Sequence, residues 1–292
     1  MKILKDHIMV TGSNGFVGSN LIKVLSKKFF VHAYYRGKKK FKNYKNVSSK
    51  KIDLIKLKKI DHKIKMIVHC ASKTPPGYPQ KICYKNNTSV DNKILSLIKK
   101  SNVKVFIYLS SISVYGKNKP RVVSENTRVI PSDLYGKSKL ETELKIKKLS
   151  KKLKINFIIL RLCTIVGRDC HSTFLSRIGE RIKSSNKLDV YGSDNYFNSC
   201  FHVNTLSKNI LNMLSIRKLK NNFNLLTLHS KKPIKLKKIF GIFKNHLNKN
   251  IIINELKTIH KGYLIKSSQL YKNKFILDST ASVIKKYIQD LK

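Results

Sequence analysis

The sequence predicts an α/β fold, a doubly wound parallel sheet with a small C-terminal α/β lobe. Three observations predict it. The first is residues 8–18, Ile8-Met9-Val10-Thr11-Gly12-Ser13-Asn14-Gly15-Phe16-Val17-Gly18. There an apolar run enters a turn with glycines three apart, and an amphipathic segment with Leu21, Ile22, Val24 and Leu25 follows. Strand, glycine turn and helix in that order make the spacing informative. The second is a series of short apolar runs separated by helical patterns, which reads as βαβ units. The third is a serine cluster after one of those runs, followed by a tyrosine and a lysine at helical spacing.

The first unit carries physical demands that glycine meets. Gly12 lets the chain turn sharply. Gly15, with no Cβ, lets a pyrophosphate approach the backbone, and Gly18 allows close helix packing. The helix N-terminus, read over about 16–28, offers N–H groups and partial positive charge to phosphates. Phe29 to Tyr35 reads as strand two and ends at Arg36-Gly37-Lys38-Lys39-Lys40. An acid near that point would hold a ribose 2′-hydroxyl. None is present. Arg36 suits a 2′-phosphate, because its charge and fork of donors match that group. NAD or NADP is therefore expected, with NADP favoured by Arg36. The bland alternative is a solvated basic loop.

Lys51 to Leu54 reads as a third strand ending near Asp53. Met66 to Ala71 reads as a buried parallel strand, with His69 a packed core histidine. Pro75, Pro76, Gly77 and Pro79 make a loop, residues 80–100 a helix, and Val103 to Leu109 strand five. That strand runs into Ser110-Ser111-Ile112-Ser113-Val114-Tyr115-Gly116. Pro131-Ser132-Asp133 then opens a helix with good capping chemistry. Tyr135 and Lys139 share one face of it, four residues apart. A tyrosine, with a pKa of about 10, is a poor base at neutral pH. A nearby ammonium and an oxidised nicotinamide would both favour its phenolate. A serine hydroxyl at the strand end could then hold the substrate oxygen while Tyr135 moves the proton.

The composition bounds the rest. The chain has 292 residues, 62 Lys and Arg against 15 Asp and Glu, and a net charge of +47. Such charge invites a nucleic-acid reading. The lysines are spread from end to end, however, and no nucleic-acid-binding motif accompanies them, so no specific nucleic-acid partner is expected. Five cysteines, Cys70, Cys83, Cys163, Cys170 and Cys200, form no C-x-x-C pair. No metal is expected. Reduced thiols and no signal peptide predict a cytoplasmic protein. No apolar run reaches the roughly 18 residues that span a bilayer, and Arg161 interrupts the best candidate.

The sequence resembles the extended short-chain dehydrogenase/reductases, in particular the NAD(P)-dependent nucleotide-sugar epimerase/dehydratase group. The resemblance rests on Thr11 to Gly18, Asp53-Leu54, His69-Cys70-Ala71, Asn86-Asn87, Ser110 to Gly116, and Tyr135 to Lys139. It covers residues 1–167 well and the remainder loosely. It implies that Tyr135 is the catalytic acid/base, that Lys139 lowers its pKa and binds ribose, and that Ser111 holds the reacting sugar oxygen. It places Gly12, Asn14, Gly15, Phe16, Val17, Gly18, Arg36, Asp53, Leu54, Ala71, Ser72 and Asn87 along the cofactor, with Tyr135 and Lys139. The family often dimerises through two helices per subunit, so a homodimer is carried as resemblance only.

Within that group the 4,6-dehydratases resemble one another in a Thr-Asp-Glu where this chain has Ser111-Ile112-Ser113, so dehydration is not expected. An epimerase working through a keto intermediate is expected on a nucleotide sugar, with an NADPH-dependent 4-keto reductase as the alternative. A decayed dinucleotide-binding scaffold and a basic anion or nucleic-acid binder are the rivals of another class.

The chain divides, on this reading, into a dinucleotide-binding domain over 1–167, rejoined by 200–216, and a substrate lobe over 168–292. A helix is read over 172–184, a strand over Leu188 to Tyr191, a strand over Phe201 to Val203, and a helix from Leu206 to Leu214. Residues 223–292 read as a mixed tail. The family often has an arginine that clamps the diphosphate where this chain has Asn198. Arg168, Arg177, Arg181 and His202 are the candidate replacements.

Overall fold

The computed structural model describes residues 6–75, 77–170, 173–185, 187–215, 222–247, 252–256 and 262–291. The expected elements and loops that touch Pro76, residue 172, residue 216 or the intervals 248–251 and 257–261 lie partly outside them.

β1 (His7–Thr11) is followed by α1 (Phe16–Leu25), β2 (Phe30–Tyr35), β3 (Val47–Lys51), β4 (Ile64–His69), α2 (Gln80–Ile98), β5 (Val105–Ser111) and α3 (Leu134–Ser150). The central sheet has seven strands, in the order Phe223–Thr227, Asn156–Leu162, β5, β4, β1, β2, β3. β1 pairs in parallel with β2 and β4, β2 with β3, and β4 with β5. The chain thus builds outward from β1 to β3, returns to the far side of β1, and builds outward again. That reversal is the switch point where open α/β sheets bind ligands.

The inner strands are apolar on both faces, as a sheet covered by helices on both sides requires. Ile8, Met9, Val10, Ile67 and Val68 are wholly buried. α1 turns Leu21, Ile22 and Leu25 onto the sheet. The stripe that α2 buries includes Asn87 and Asp91 among Cys83, Val90, Ile94, Leu95 and Ile98. α3 buries Lys139, Thr142 and Glu143 beside Ile146. Asp133 caps α3 by accepting from the Gly136 N–H at 2.7 Å.

The chain forms two compact units. The first comprises Met1–Lys117, Val129–Arg161 and Ser207–Leu226, and holds nearly all of the central sheet. The second comprises Asn118–Arg128, Leu162–Leu206 and Thr227–Lys292. Inside the second unit, Thr164–Val166 pairs in parallel with Cys200–His202, Lys187–Tyr191 with Ile252–Leu256, and Val122–Val123 with Leu264–Ile265. Phe201, Phe243, Ile284 and Tyr287 are among its buried apolar residues.

Several boundaries differ from the sequence reading. The third strand ends at Lys51, and residues 54–56 form a 3-10 turn that Asp53 caps by accepting from the Ile55 N–H at 3.1 Å. A carboxylate that caps a turn ends a strand. The strand near Phe201 is Cys200–His202, because Val203 already begins the helix Val203–Ser215. The second compact unit takes up the chain at Leu162, and within it Thr164–Val166 pairs with Cys200–His202. Residues 118–128 join the second unit through the pairing of Val122–Val123 with Leu264–Ile265. Among its described residues the tail holds helices Leu236–Leu247, Ser268–Lys272 and Thr280–Asp290 and several short strands.

Candidate functional site

The glycine turn joins β1 to α1. Gly12 has φ +65°, and a Cβ there would lie 2.7 Å from the Cα and N of Ala71. At Gly18 a Cβ would lie 2.3 Å from the Gly12 carbonyl oxygen. The closest approach that Gly18 permits is therefore to the turn itself. At Gly15 the nearest atom would be the Gly12 oxygen at 3.2 Å, so Gly15 leaves its outer side open. No side chain caps the N-terminus of α1. An open glycine cradle at an uncapped helix N-terminus fits a phosphate group.

A cleft of about 410 Å³ lies over this turn. Gly12, Asn14, Gly15, Arg36, Asp53, Leu54, Ala71 and Ser72 all line it. Tyr34, Ile52 and Val90 supply apolar wall at the Asp53 side. The residues fit a dinucleotide: a phosphate cradle, apolar wall, and polar groups at the rim. Phe16 and Val17 are half-buried on the first turn of α1. Asn87 is fully buried and spends its amide on Lys73, accepting from its N–H at 2.8 Å and donating to its carbonyl at 3.0 Å. It braces the segment after β4, and its neighbour Asn86 lines the cleft.

Ser111 ends β5 and Tyr135 begins α3. The Ser111 and Ser72 hydroxyls both lie close enough to the Tyr135 phenol to lower its pKa. Gln80, at the start of α2, accepts from the Tyr135 backbone N–H at 2.9 Å. Burial pushes the phenol up to about 12, against the lowering effect of the two serines. The expected depression rested on two positive charges, the Lys139 ammonium and an oxidised nicotinamide. The chain's own groups leave Tyr135 protonated at neutral pH, ready to donate.

Lys139 is buried, and its Nζ donates to the Leu109 carbonyl at 3.0 Å. It stands 4.8 Å from the Tyr108 ring centroid and 5.8 Å from that of Tyr135. Burial lowers its pKa, while the charges of Asp91, Cys70 and Glu143 oppose that shift. Asp91 is the centre of a buried network that was not foreseen. Its carboxylate meets His69 Nε2 at 2.9 Å and accepts from Tyr108 at 2.7 Å and Thr142 at 2.9 Å. His69 Nδ1 in turn meets Thr11 Oγ1 at 2.8 Å. Burial alone would raise the Asp91 pKa, but His69, Lys139 and Tyr108 bring it below the ordinary carboxylate value. The signal was present: Asp91 stands on the apolar stripe of a helix in a chain with 15 acids. A second buried network joins Arg161 to Glu143 at 2.7 Å and to Tyr115 at 3.0 Å, with Ser110 donating to Glu143 at 2.5 Å.

Within the second unit, Asn198 is buried and pairs with the backbone of Ile265, donating at 2.8 Å and accepting at 3.0 Å. It works as a clamp. Of the candidate replacements, His202 is buried against Asp290 at 3.0 Å, and Arg168, Arg177 and Arg181 are exposed. All five cysteines are free thiols. Among the described residues no cluster has the makings of a metal site, and no helix is long and apolar enough to cross a membrane.

The chain is similar to several known proteins. It is 25% identical over 217 residues to the ADP-L-glycero-D-manno-heptose-6-epimerase of Brachyspira hyodysenteriae, covering 67% of this chain and 68% of that one. It is 29% identical over 229 residues to the UDP-glucose 4-epimerase of Drosophila melanogaster, covering 64% of each. Among solved structures, the UDP-N-acetylglucosamine 4-epimerase of Methanobrevibacter ruminantium superposes with a TM-score of 0.84 at 21% identity, over 99% of both chains. That likeness shows the fold. Residues 8–224 match the NAD dependent epimerase/dehydratase family over a stretch that contains the glycine turn, Ser111, Tyr135 and Lys139, and the chain belongs to that family.

Proposed function

We propose that the chain is an NAD(P)-dependent epimerase acting on a nucleotide sugar through a keto intermediate. The observation that carries this reading is the meeting of Ser111, Ser72 and Tyr135 within one unit, beside buried Lys139 and the glycine cleft. The first unit is then the dinucleotide-binding unit and the second supplies the substrate site.

Ser111 holds the reacting sugar oxygen. Tyr135 exchanges a proton with that oxygen, taking it as the alcohol becomes a ketone and returning it as the ketone becomes an alcohol. When bound, the nicotinamide supplies the site that accepts and returns the hydride, and its oxidised form adds the positive charge that the phenolate needs. Lys139, buried with its Nζ 5.8 Å from the Tyr135 ring centroid, would hold a ribose when the cofactor is bound. Where the dehydratases have an acid pair, Ile112 and Ser113 stand in a 3-10 turn, and Ser113 Oγ lies 3.1 Å from Ser111 Oγ. With no carboxyl there, elimination of water lacks its own acid and base.

A second reading is favoured by one observation. Arg36, Lys38 and Lys40 all line the cleft, and no acid stands at the end of β2. A 2′-phosphate fits there, and NADPH is a consumed reductant. That reading is a 4-keto-sugar-nucleotide reductase.

One experiment separates them. The purified protein is denatured, any released dinucleotide is identified, and the stripped protein is titrated with NADH and NADPH. Retained NAD+ supports the epimerase. An empty site that prefers NADPH supports the reductase. Affinity for neither overturns both.

A further inference from the structure

We propose that Asn14 is a positioning residue that sets the preference for a 2′-phosphorylated cofactor by holding the loop Arg36 to Lys40. The inference rests on the 2′-phosphate reading of the cleft.

A single side-chain amide organises this loop. Asn14 Nδ2 donates to the carbonyls of Arg36 and Lys38, each at 2.8 Å, and Asn14 Oδ1 accepts from the Lys40 N–H at 2.9 Å. Three of the four bonds an amide can make go to one five-residue stretch. Gly37, with φ +75°, lets the chain curl around the amide, and nothing lies within 4 Å of where its Cβ would stand.

The consequence is an alternation of side chains. Arg36, Lys38 and Lys40 line the cleft. Lys39 does not; its Nζ lies 4.9 Å from the Phe41 ring centroid and bonds Asn43. Three cations from one loop therefore share the cleft wall with Gly12 and Gly15. Exposed lysines and arginines bind an anion weakly when each must be ordered on binding, and well when the backbone is already set. A 2′-phosphate draws on all three charges. A 2′-hydroxyl draws on none.

The test uses the full chain and Asn14→Ala. NADH and NADPH are each titrated by nicotinamide fluorescence. The cost of losing the three hydrogen bonds is shared between loop ordering and ligand. The NADPH Kd is expected to rise about 10-fold or more, and the NADH Kd less than about 3-fold. A merely structural staple would weaken both alike, and equal losses overturn the proposal. Asn14→Asp keeps the acceptor but sets a carboxylate against two carbonyls. It is expected to lose the NADPH preference as fully as Asn14→Ala, and a retained preference overturns the role given to the two donors.

A second measurement needs no cofactor. Limited trypsin digestion is followed by mass spectrometry, comparing cleavage after Arg36, Lys38, Lys39 and Lys40 with cleavage elsewhere. Asn14→Ala is expected to raise the loop's share about 10-fold, the scale of losing one to two such bonds. An unchanged share overturns the claim that Asn14 holds the loop. A wild-type protein that binds NADH and NADPH alike overturns the 2′-phosphate reading instead. The digest then still judges the loop by itself.

Discussion

Tyr135 and Arg36 are the residues on which the proposed chemistry turns. The phenol sits among two serine hydroxyls at a pKa pushed up to about 12. Tyr135→Phe removes the proton and leaves the ring. Turnover of the nucleotide sugar is expected to fall roughly 100-fold or more, as loss of an acid/base does, with the cofactor Kd nearly unchanged. In the cofactor-free protein, moreover, the phenolate absorbance lost on this substitution is expected only above about pH 10, past an ordinary tyrosine. A Tyr135→Phe variant that still turns over would remove Tyr135 from the mechanism. Arg36 tests the other end of the cleft. A charged hydrogen bond is worth about 1.5–3 kcal/mol, so Arg36→Ala is expected to weaken NADPH about 10-fold or more and NADH little. Titration of both cofactors checks it, and equal loss would mean that Arg36 does not meet a 2′-phosphate.

Two joints between elements hold the site, one at the glycine turn and one beneath α2 and α3. Gly18→Ala would set a methyl 2.3 Å from the Gly12 carbonyl. Neither atom is at the end of a flexible side chain, so the turn must open, and overpacking of this kind costs about 1–3 kcal/mol or more. Stability and cofactor affinity are both expected to fall. Gly241→Ala, inside the helix Leu236–Leu247, is the control: it meets no neighbour, and alanine favours a helix interior over glycine by about 1 kcal/mol. Calorimetry with cofactor titration distinguishes the two. The other joint is Asp91, which ties α2 to His69 on β4, Tyr108 on β5 and Thr142 on α3. Asp91→Ala leaves buried His69 and Lys139 without their carboxylate, and breaking a buried pair costs about 3–5 kcal/mol. Because the Asp91 pKa is lowered in the fold, its stabilisation is present above its unfolded value of about 3.9 and is lost as pH falls below that through the folded value. Denaturation midpoints are therefore expected to drop below about pH 4 in the wild type, and less steeply in Asp91→Asn.

Over the whole molecule the dominant number is the net charge of +47. The lysines run through both units, so the field is broad rather than shaped into one groove. A broad positive field captures anions quickly and holds polyanions without selectivity. Nucleic acid that adheres at low salt is therefore expected to leave between about 50 and 200 mM salt, where 6–10 phosphate contacts lose about 10³–10⁵ in affinity. A dinucleotide, with few charges and a shaped cleft, is expected to lose far less over the same range. Filter binding across a salt series checks both. RNA retained at high salt would restore the nucleic-acid reading.

What the sequence determined by itself is local and periodic. Glycine spacing after an apolar run specified the first βα turn, because only glycine fits φ +65° at Gly12 and the close carbonyl at Gly18. Tyr135 and Lys139 shared a helix face by arithmetic, and Asp133 marked where that helix begins. What only the tertiary structure decided lies between residues far apart in the chain. Asp91 drew no reading, and Asn87 read as a cofactor contact, until His69, Tyr108, Thr142 and Lys73 are brought around them. Asn14 read as a ligand contact until the loop from Arg36 to Lys40 closed on its amide. Asn198 read as a missing arginine until Ile265 paired with it. Pattern predicts which backbone a segment adopts, because that depends on its neighbours along the chain. The partner of a buried polar group depends on the fold as a whole, since burial makes each such group find a hydrogen bond wherever the packed elements offer one.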